Sequence, residues 1–321
     1  MISVYLGSGQ VQVQNLPLPE RPEGFALIRL LTGGICNTDL ELQRGYYGYS
    51  GTPGHEFVGE VVESDTAHLR GRRVVGEINL ACTHCAWCRR GLDRHCPHRT
   101  VLGIVRHPGA FREFLTLPDR NLRVVPESVS TEAAVFTEPL AAACRILEQV
   151  RIPPGSPVAV LGDGKLGLLI AQVLQAGGCR VHQFGRHADK LRIAARAGVT
   201  TEVTTQIATD TLPEGEYEWV VDSTGSPEGL QAAVRMAQPC GTVILKSTVH
   251  GTVAVDTAPV IVNEITLVGS RCGRFEPALE LLERGAVDVT SMISEAMALR
   301  DAPRAFSRAG TKGVLKVLLT A

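Results

Sequence analysis

Val158-Ala159-Val160-Leu161-Gly162-Asp163-Gly164-Lys165-Leu166-Gly167 passes from an apolar run into a glycine-punctuated turn and on into the helical pattern of residues 166–176. A short apolar run bounded by glycine reads as a buried strand. Three glycines spaced G-x-G-x-x-G are a weak signal alone, but between a strand and a helix they suit a dinucleotide. Gly162 permits the tight turn, Gly164 lets the backbone approach a pyrophosphate, and Gly167 lets helix and strand pack closely. The helix N-terminus adds its attraction for phosphate.

Downstream, residues 180–184, 218–222, 241–245 and 265–269 read as strands, with helices expected over 188–197 and 227–237. Strands alternating with helices imply βαβ units and a doubly wound parallel sheet, a Rossmann domain in an α/β protein. Upstream the texture differs. Short β segments at 25–31, 56–63, 73–77, 110–117 and 122–125, broken by Gly and Pro, suit an antiparallel, barrel-like domain. The tail adds a helix at 276–284 and a closing strand at 314–319. The expected division is a catalytic β-rich domain of residues 1–139 with 273–321, and a dinucleotide-binding domain of residues 140–272.

The chain of 321 residues is 44% hydrophobic, and its 32 basic and 33 acidic side chains leave a net charge of −1. A nucleic-acid or acidic-membrane binder would carry a basic excess, so neither partner is expected. There is no run of about 20 apolar residues to cross a bilayer, and Met1-Ile2-Ser3-Val4-Tyr5 does not resemble a secretory signal. A cytoplasmic, reducing location follows. There, nine cysteines read better as metal ligands, core residues or nucleophiles than as disulfides.

Cys82, Cys85, Cys88 and Cys96 have the spacing C-x2-C-x2-C-x7-C. Short spacings let the chain curl round one tetrahedral Zn²⁺, and four thiolates leave no position open, so this zinc is expected to be structural. Arg89, Arg90, Arg94 and Arg99 nearby read as a solvated loop face. A second set is dispersed: Cys36 and Asp39 in Gly34-Ile35-Cys36-Asn37-Thr38-Asp39, His55 and Glu56 in Gly54-His55-Glu56, and Glu138 in Thr137-Glu138-Pro139. Cysteine, histidine and one carboxylate give three protein ligands and leave a fourth position for water or a carbonyl oxygen, the arrangement of a catalytic zinc.

With these motifs in hand, the chain resembles the zinc-dependent medium-chain dehydrogenases/reductases, the family of alcohol, polyol and sugar dehydrogenases, essentially end to end. The resemblance implies a GroES-like catalytic domain beside the Rossmann domain and two Zn²⁺ per chain. It implies Cys36 and His55 as ligands of the catalytic zinc, with the third ligand either Glu138 or Glu56. Asp39 would hold the His55 imidazole in the metal-binding tautomer, and Thr38 would pass the substrate proton towards the cofactor ribose. Glu41 stands where alcohol dehydrogenases often have histidine; it is either part of an altered proton exit or a solvated helix face. Lys316 matches a basic position that contacts pyrophosphate in relatives, or is an exposed strand lysine. Tyr46, Tyr47 and Tyr49 lie where relatives line the substrate pocket, or pack the barrel.

The cofactor follows from the second strand of the Rossmann half. An NAD site has an acid about 20 residues after the glycine motif, where it accepts bonds from the ribose. Here the strand ends in Gly185-Arg186-His187, and Asp189 reads as a helix-start residue. Glycine removes a carboxylate that would repel a 2′-phosphate and Arg186 offers a cation to bind one, so NADP is expected in preference to NAD; otherwise Arg186 is a surface charge and either cofactor is taken. The reading is a hydride transfer between NADP(H) and a small alcohol or carbonyl substrate, with a sugar or polyol favoured by Glu138 and Glu41. A reductase of small aldehydes or ketones is the alternative, and a catalytically inactive binding protein on the same fold comes third. A homodimer or homotetramer is expected from the resemblance alone.

Overall fold

The computed structural model describes residues 1–205, 212–248 and 252–321, with the side chain of Tyr47 left aside. Its contacts divide the chain into two compact units, Met1–Glu138 with Met292–Ala321, and Pro139–Ser291.

In the second unit, six strands form one sheet: Pro157–Leu161, Arg180–Gly185, Thr200–Val203, Tyr217–Asp222, Ala237–Leu245 and Thr266–Gly269. All pairings in it are parallel, and in space the order runs third, second, first, fourth, fifth, sixth. That is the doubly wound arrangement in which the chain starts at the sheet centre and reverses direction beside its first strand, the place where such sheets bind ligands. Val158, Ala159, Val160 and Leu161 are fully buried, as a strand covered on both faces requires. Helices Lys165–Ala176, Ala188–Arg196 and Pro227–Met236 supply the cover. Ala232, Ala233 and Met236 of the last pack with Ala159, Val220 and Val243 in one apolar cluster. Each fully buried large side chain there contributes roughly 1.5–3 kcal/mol.

In the first unit, a seven-stranded sheet runs Leu122–Val124, Arg73–Gly76, Glu56–Glu63, Phe25–Gly34, Lys316–Thr320, Ile293–Ala298. The long strand Phe25–Gly34 shares one edge between two partners: Phe25–Arg29 pair with Phe114–Pro118, and Thr32–Gly34 with Leu318–Thr320. Only the last pairing of this sheet, Ile293–Ala298 with Lys316–Thr320, is parallel. The β-rich reading of this half therefore holds. It omits the hairpin Ile2–Gly7 and Gln10–Asn15, whose second strand alternates valine with glutamine and whose side chains are half-exposed or exposed.

The expected return to the catalytic unit at residue 273 falls later, between Ser291 and Met292. Helix Phe275–Glu283 and the loop after it belong with the Rossmann unit, where the Gln172 side chain accepts from the Asp288 N–H at 2.6 Å and donates to its carbonyl at 3.3 Å. Among the described residues, no helix is long and apolar enough to cross a membrane.

Candidate functional site

The four-cysteine lobe is carried by the short helix Ala86–Arg89 and a 3-10 turn at Asp93–His95. Its Sγ–Sγ separations are 3.5 Å for Cys85–Cys88 and Cys82–Cys96, 3.8 Å for Cys85–Cys96 and 4.0 Å for Cys82–Cys88. Four sulfurs about 2.3 Å from one Zn²⁺ sit at tetrahedron edges of about 3.8 Å. The lobe thus has the dimensions of a Zn(Cys)4 site. Burial, with side-chain hydrogen bonding to Cys85, Cys96 and Asp93, lifts the Cys88 thiol to about 12, while backbone N–H groups of Cys82 and His98 overcome burial and lower that of Cys96. The arginines tie the loop down rather than face a partner: Arg89 donates to the His84 carbonyl, Arg99 to that of Cys96, and Arg94 lies 3.6 Å from Glu77.

The second set converges more tightly than its scatter in sequence suggests. Cys36 caps helix Asn37–Gln43 with extended backbone angles, which aims its side chain off the helix start. Asp39, fully buried, accepts the Cys36 N–H at 2.8 Å through Oδ2 and the Gly54 N–H at 3.2 Å through Oδ1. One carboxylate therefore ties the cysteine-bearing turn to the Gly54-His55-Glu56 segment. The same Oδ1 lies 3.5 Å from His55 Nδ1. Burial opposes charge on His55, but Asp39 and Cys36 prevail and raise its pKa well above the ordinary value.

Ligand atoms of Cys36, His55 and Glu56 all lie within 4.8 Å of one another. His55 and Glu56 are buried, and Glu56 Oε1 has no hydrogen-bond partner among the described residues. A buried acceptor left unpaired costs about 1–3 kcal/mol. A cation bound by sulfur, imidazole and that oxygen removes the cost, so the donor set fits a zinc ion. Thr38 Oγ1 is 3.8 Å from Cys36 Sγ, and Thr38 is partly exposed.

The geometry bears on two readings left open by the sequence. Glu138 sits in the first turn of helix Thr137–Gln149 and is not part of the converging group, which Glu56, the chain neighbour of His55, joins. Lys316 is neither exposed nor turned to a cofactor. The residue is 1% exposed, and its ammonium pairs directly with Glu56 Oε2 and lies 5.6 Å from the centre of the Phe136 ring. Burial alone would lower its pKa; Glu56 and then Cys36 raise it, so this lysine is the counter-charge of Glu56. The sequence offered no local sign of this pairing, which spans 260 positions. Glu41 pairs with Arg44 on the same exposed helix face, which favours the solvated reading. Tyr49 donates to the Thr52 carbonyl and so braces its own loop; the Tyr47 side chain lies outside the described residues.

The glycine loop behaves as its pattern implies. Gly162 has φ +109°, and a Cβ there would stand 2.8 Å from the Ser223 carbonyl oxygen. A Cβ on Gly167 would meet the Gly162 carbonyl at 2.4 Å, whereas one on Gly164 would meet nothing within 4 Å. Gly164 thus caps helix Lys165–Ala176 beside open space, where a pyrophosphate can approach the backbone. Arg186 is exposed at the end of strand Arg180–Gly185. Asp222, the last residue of strand Tyr217–Asp222, is buried, and its Oδ1 accepts from the Thr224 N–H and hydroxyl.

Comparison with known proteins gives the same picture. Residues 22–127 match the alcohol dehydrogenase GroES-like domain, and residues 166–284 match the zinc-binding dehydrogenase family. A sorbitol dehydrogenase of Halalkalibacterium halodurans is 29% identical, with 100% of this chain and 98% of that protein covered. An L-threonine 3-dehydrogenase of Streptomyces avermitilis is 30% identical over 96% of this chain and 95% of its own. Among solved structures, a zinc-binding dehydrogenase of Sinorhizobium meliloti 1021 bound to NADP superposes with a TM-score of 0.91 at 29% identity, covering 100% of this chain and 99% of that one.

Proposed function

Because the chain belongs to the zinc-dependent medium-chain dehydrogenases, and is thereby a zinc- and nicotinamide-dependent oxidoreductase of small alcohols and carbonyls, we propose that its substrate is a sugar or polyol and that it holds two Zn²⁺ per chain. The observation that carries the reading is the convergence of Cys36, His55 and Glu56 around an unpaired buried carboxylate oxygen. A carboxylate rather than a second thiolate at the third corner and the likeness to a sorbitol dehydrogenase support the polyol class.

Cys36, His55 and Glu56 would hold the catalytic zinc, and Cys82, Cys85, Cys88 and Cys96 the structural one. When bound, the zinc polarises the substrate oxygen and the nicotinamide exchanges the hydride. The remaining work falls to this chain's side chains. Asp39 fixes the orientation of His55 and the turn carrying Cys36. Thr38 Oγ1 takes the substrate proton and passes it on. Lys316 supplies the counter-charge to Glu56 in a buried pocket. Gly162, Gly164, Gly167 and the N-terminus of helix Lys165–Ala176 seat the pyrophosphate, and exposed Arg186 favours NADP over NAD. Nine free cysteines support a cytoplasmic setting. A homodimer or homotetramer is supported by exposed Ile261, Val262 and Leu267 on the last helix and edge strand of the Rossmann sheet.

The deciding experiment measures NADP⁺ reduction against sugars and polyols, and NADPH oxidation against small aldehydes and ketones, with zinc content determined in parallel. Turnover confined to the aldehydes and ketones selects the alternative substrate class. One Zn²⁺ per chain and no turnover selects the inactive binding protein.

A further inference from the structure

The second Rossmann strand ends in glycine, yet the place where a side chain at that position would stand is filled by a carboxylate from elsewhere. Asp163, the residue between the first two glycines of the loop, is 7% exposed. A Cβ built on Gly185 would lie 2.5 Å from Asp163 Cβ and 2.9 Å from both its Cγ and its Oδ2. The carboxylate is held there from one side: Oδ2 accepts the His187 backbone N–H at 2.6 Å and lies 2.9 Å from His187 Nδ1. Oδ1 stays outside that pair.

We propose that Asp163 is the residue that reads the adenosine ribose of the cofactor, so that the site accepts NAD as well as NADP; this rests on the glycine loop being the dinucleotide site. A dinucleotide site reads an unphosphorylated ribose with an acid at the end of its second strand. Here the acid reaches the same place from the loop, fixed through one oxygen by His187 and offering the other to a ribose hydroxyl. The two ways of supplying it exclude each other sterically, which is why position 185 is glycine: any side chain there displaces Asp163. A 2′-phosphate meets opposing influences, repulsion from Asp163 and attraction to Arg186, which directly follows Gly185 in the chain. Selectivity is then the difference between these two terms rather than the result of a missing carboxylate.

The test is a pair of fluorescence titrations of the zinc-loaded protein, with NADH and with NADPH. Asp163→Asn removes the charge while keeping the shape. Loss of a hydrogen bond to a charged group corresponds to about tenfold or more in affinity; NADH binding should weaken by that factor, and NADPH binding should hold or tighten. Arg186→Ala should do the reverse. Moving the carboxylate back to the strand, in Asp163→Gly combined with Gly185→Asp, should restore NADH binding, and the rise in unfolding midpoint on adding NADH checks that the double variant is folded. Equal weakening of both cofactors by Asp163→Asn, or unchanged NADH binding, overturns the proposal. Gly164→Val tells the premise apart: it should abolish binding of both cofactors, and if both still bind, the loop is not the dinucleotide site and the proposal falls with it.

Discussion

The two candidate metal centres of the first unit would solve opposite problems with partly the same chemistry. The lobe at Cys82, Cys85, Cys88 and Cys96 gathers four identical side chains from fifteen consecutive residues and would surround an ion completely. The pocket at Cys36, His55 and Glu56 gathers three different side chains from two separate turns and would leave a position open. Closure needs only short spacing, so the lobe's support is local: backbone N–H groups and arginine contacts to nearby carbonyls. Openness needs outside support, because a partly filled coordination sphere does not hold its own ligands in place. Asp39 and Lys316 provide it, one by hydrogen bonds to both ligand-bearing turns, the other by pairing with the third ligand.

Four substitutions separate the centres. Cys36→Ser should lower turnover by more than about 100-fold, since even the residues supporting a zinc ligand are worth 10–100-fold; NADPH binding followed by fluorescence should be unaffected. If turnover survives, the pocket is not the catalytic centre. Lys316→Met leaves Glu56 buried without its partner, an imbalance worth about 3–5 kcal/mol. Denaturant unfolding of the metal-free protein should show that loss, and adding zinc should return part of it. An unchanged unfolding midpoint would mean that the pairing is incidental. Cys96→Ser should do the converse of Cys36→Ser: zinc content falls from two to one per chain and the unfolding midpoint drops by about 10 °C, equivalent to some 3 kcal/mol for a unit of this size, while the remaining folded enzyme turns over normally.

The smallest effect is one of pH. In the metal-free protein, His55 is protonated well above 6.5. A group whose folded pKa is raised adds stability that is fully present below its unfolded pKa and is lost as pH rises through the folded value. The metal-free protein should therefore lose this contribution on going from mildly acidic to alkaline buffer. Zinc must displace the same proton, so its affinity for this centre should fall by about tenfold per pH unit below the folded pKa. Asp39→Asn removes the charge that raises His55. It should flatten both dependences and weaken zinc binding 10–100-fold, whereas the four-cysteine lobe should keep its own zinc throughout.

What the sequence made legible follows the same division. The glycine loop, the strand–helix alternation and the cysteine lobe are local patterns, and each stands where its spacing put it. Segment 56–63 is a strand at those limits, since its apolar residues face a core within the same sheet. In the candidate open pocket the converging residues and the supporting Asp39 were legible, but the part played by Lys316 was not. Choosing between Glu138 and Glu56 required knowing where the last strand runs, and Lys316 reaches Glu56 only because Lys316–Thr320 inserts beside Phe25–Gly34. Gly185 shows a related limit of local pattern: a missing side chain there says nothing of Asp163, which lies 22 positions upstream and fills the adjoining space. Helix Phe275–Glu283 read correctly as a helix but was assigned to the wrong unit, because its amphipathic face does not say which core it joins.

The strand bearing Lys316 has a consequence for biosynthesis. The sheet of the first unit is completed by Ile293–Ala298 and Lys316–Thr320, which leave the ribosome only after the whole Rossmann segment has been made. That segment is continuous and can fold as it emerges. The older half of the chain must wait with Cys36, His55 and Glu56 already translated but with the cation that stabilises Glu56 still to come. Maturation of the open centre would therefore wait for the translation of Lys316, whereas the cysteine lobe could take an ion as soon as Cys96 appears.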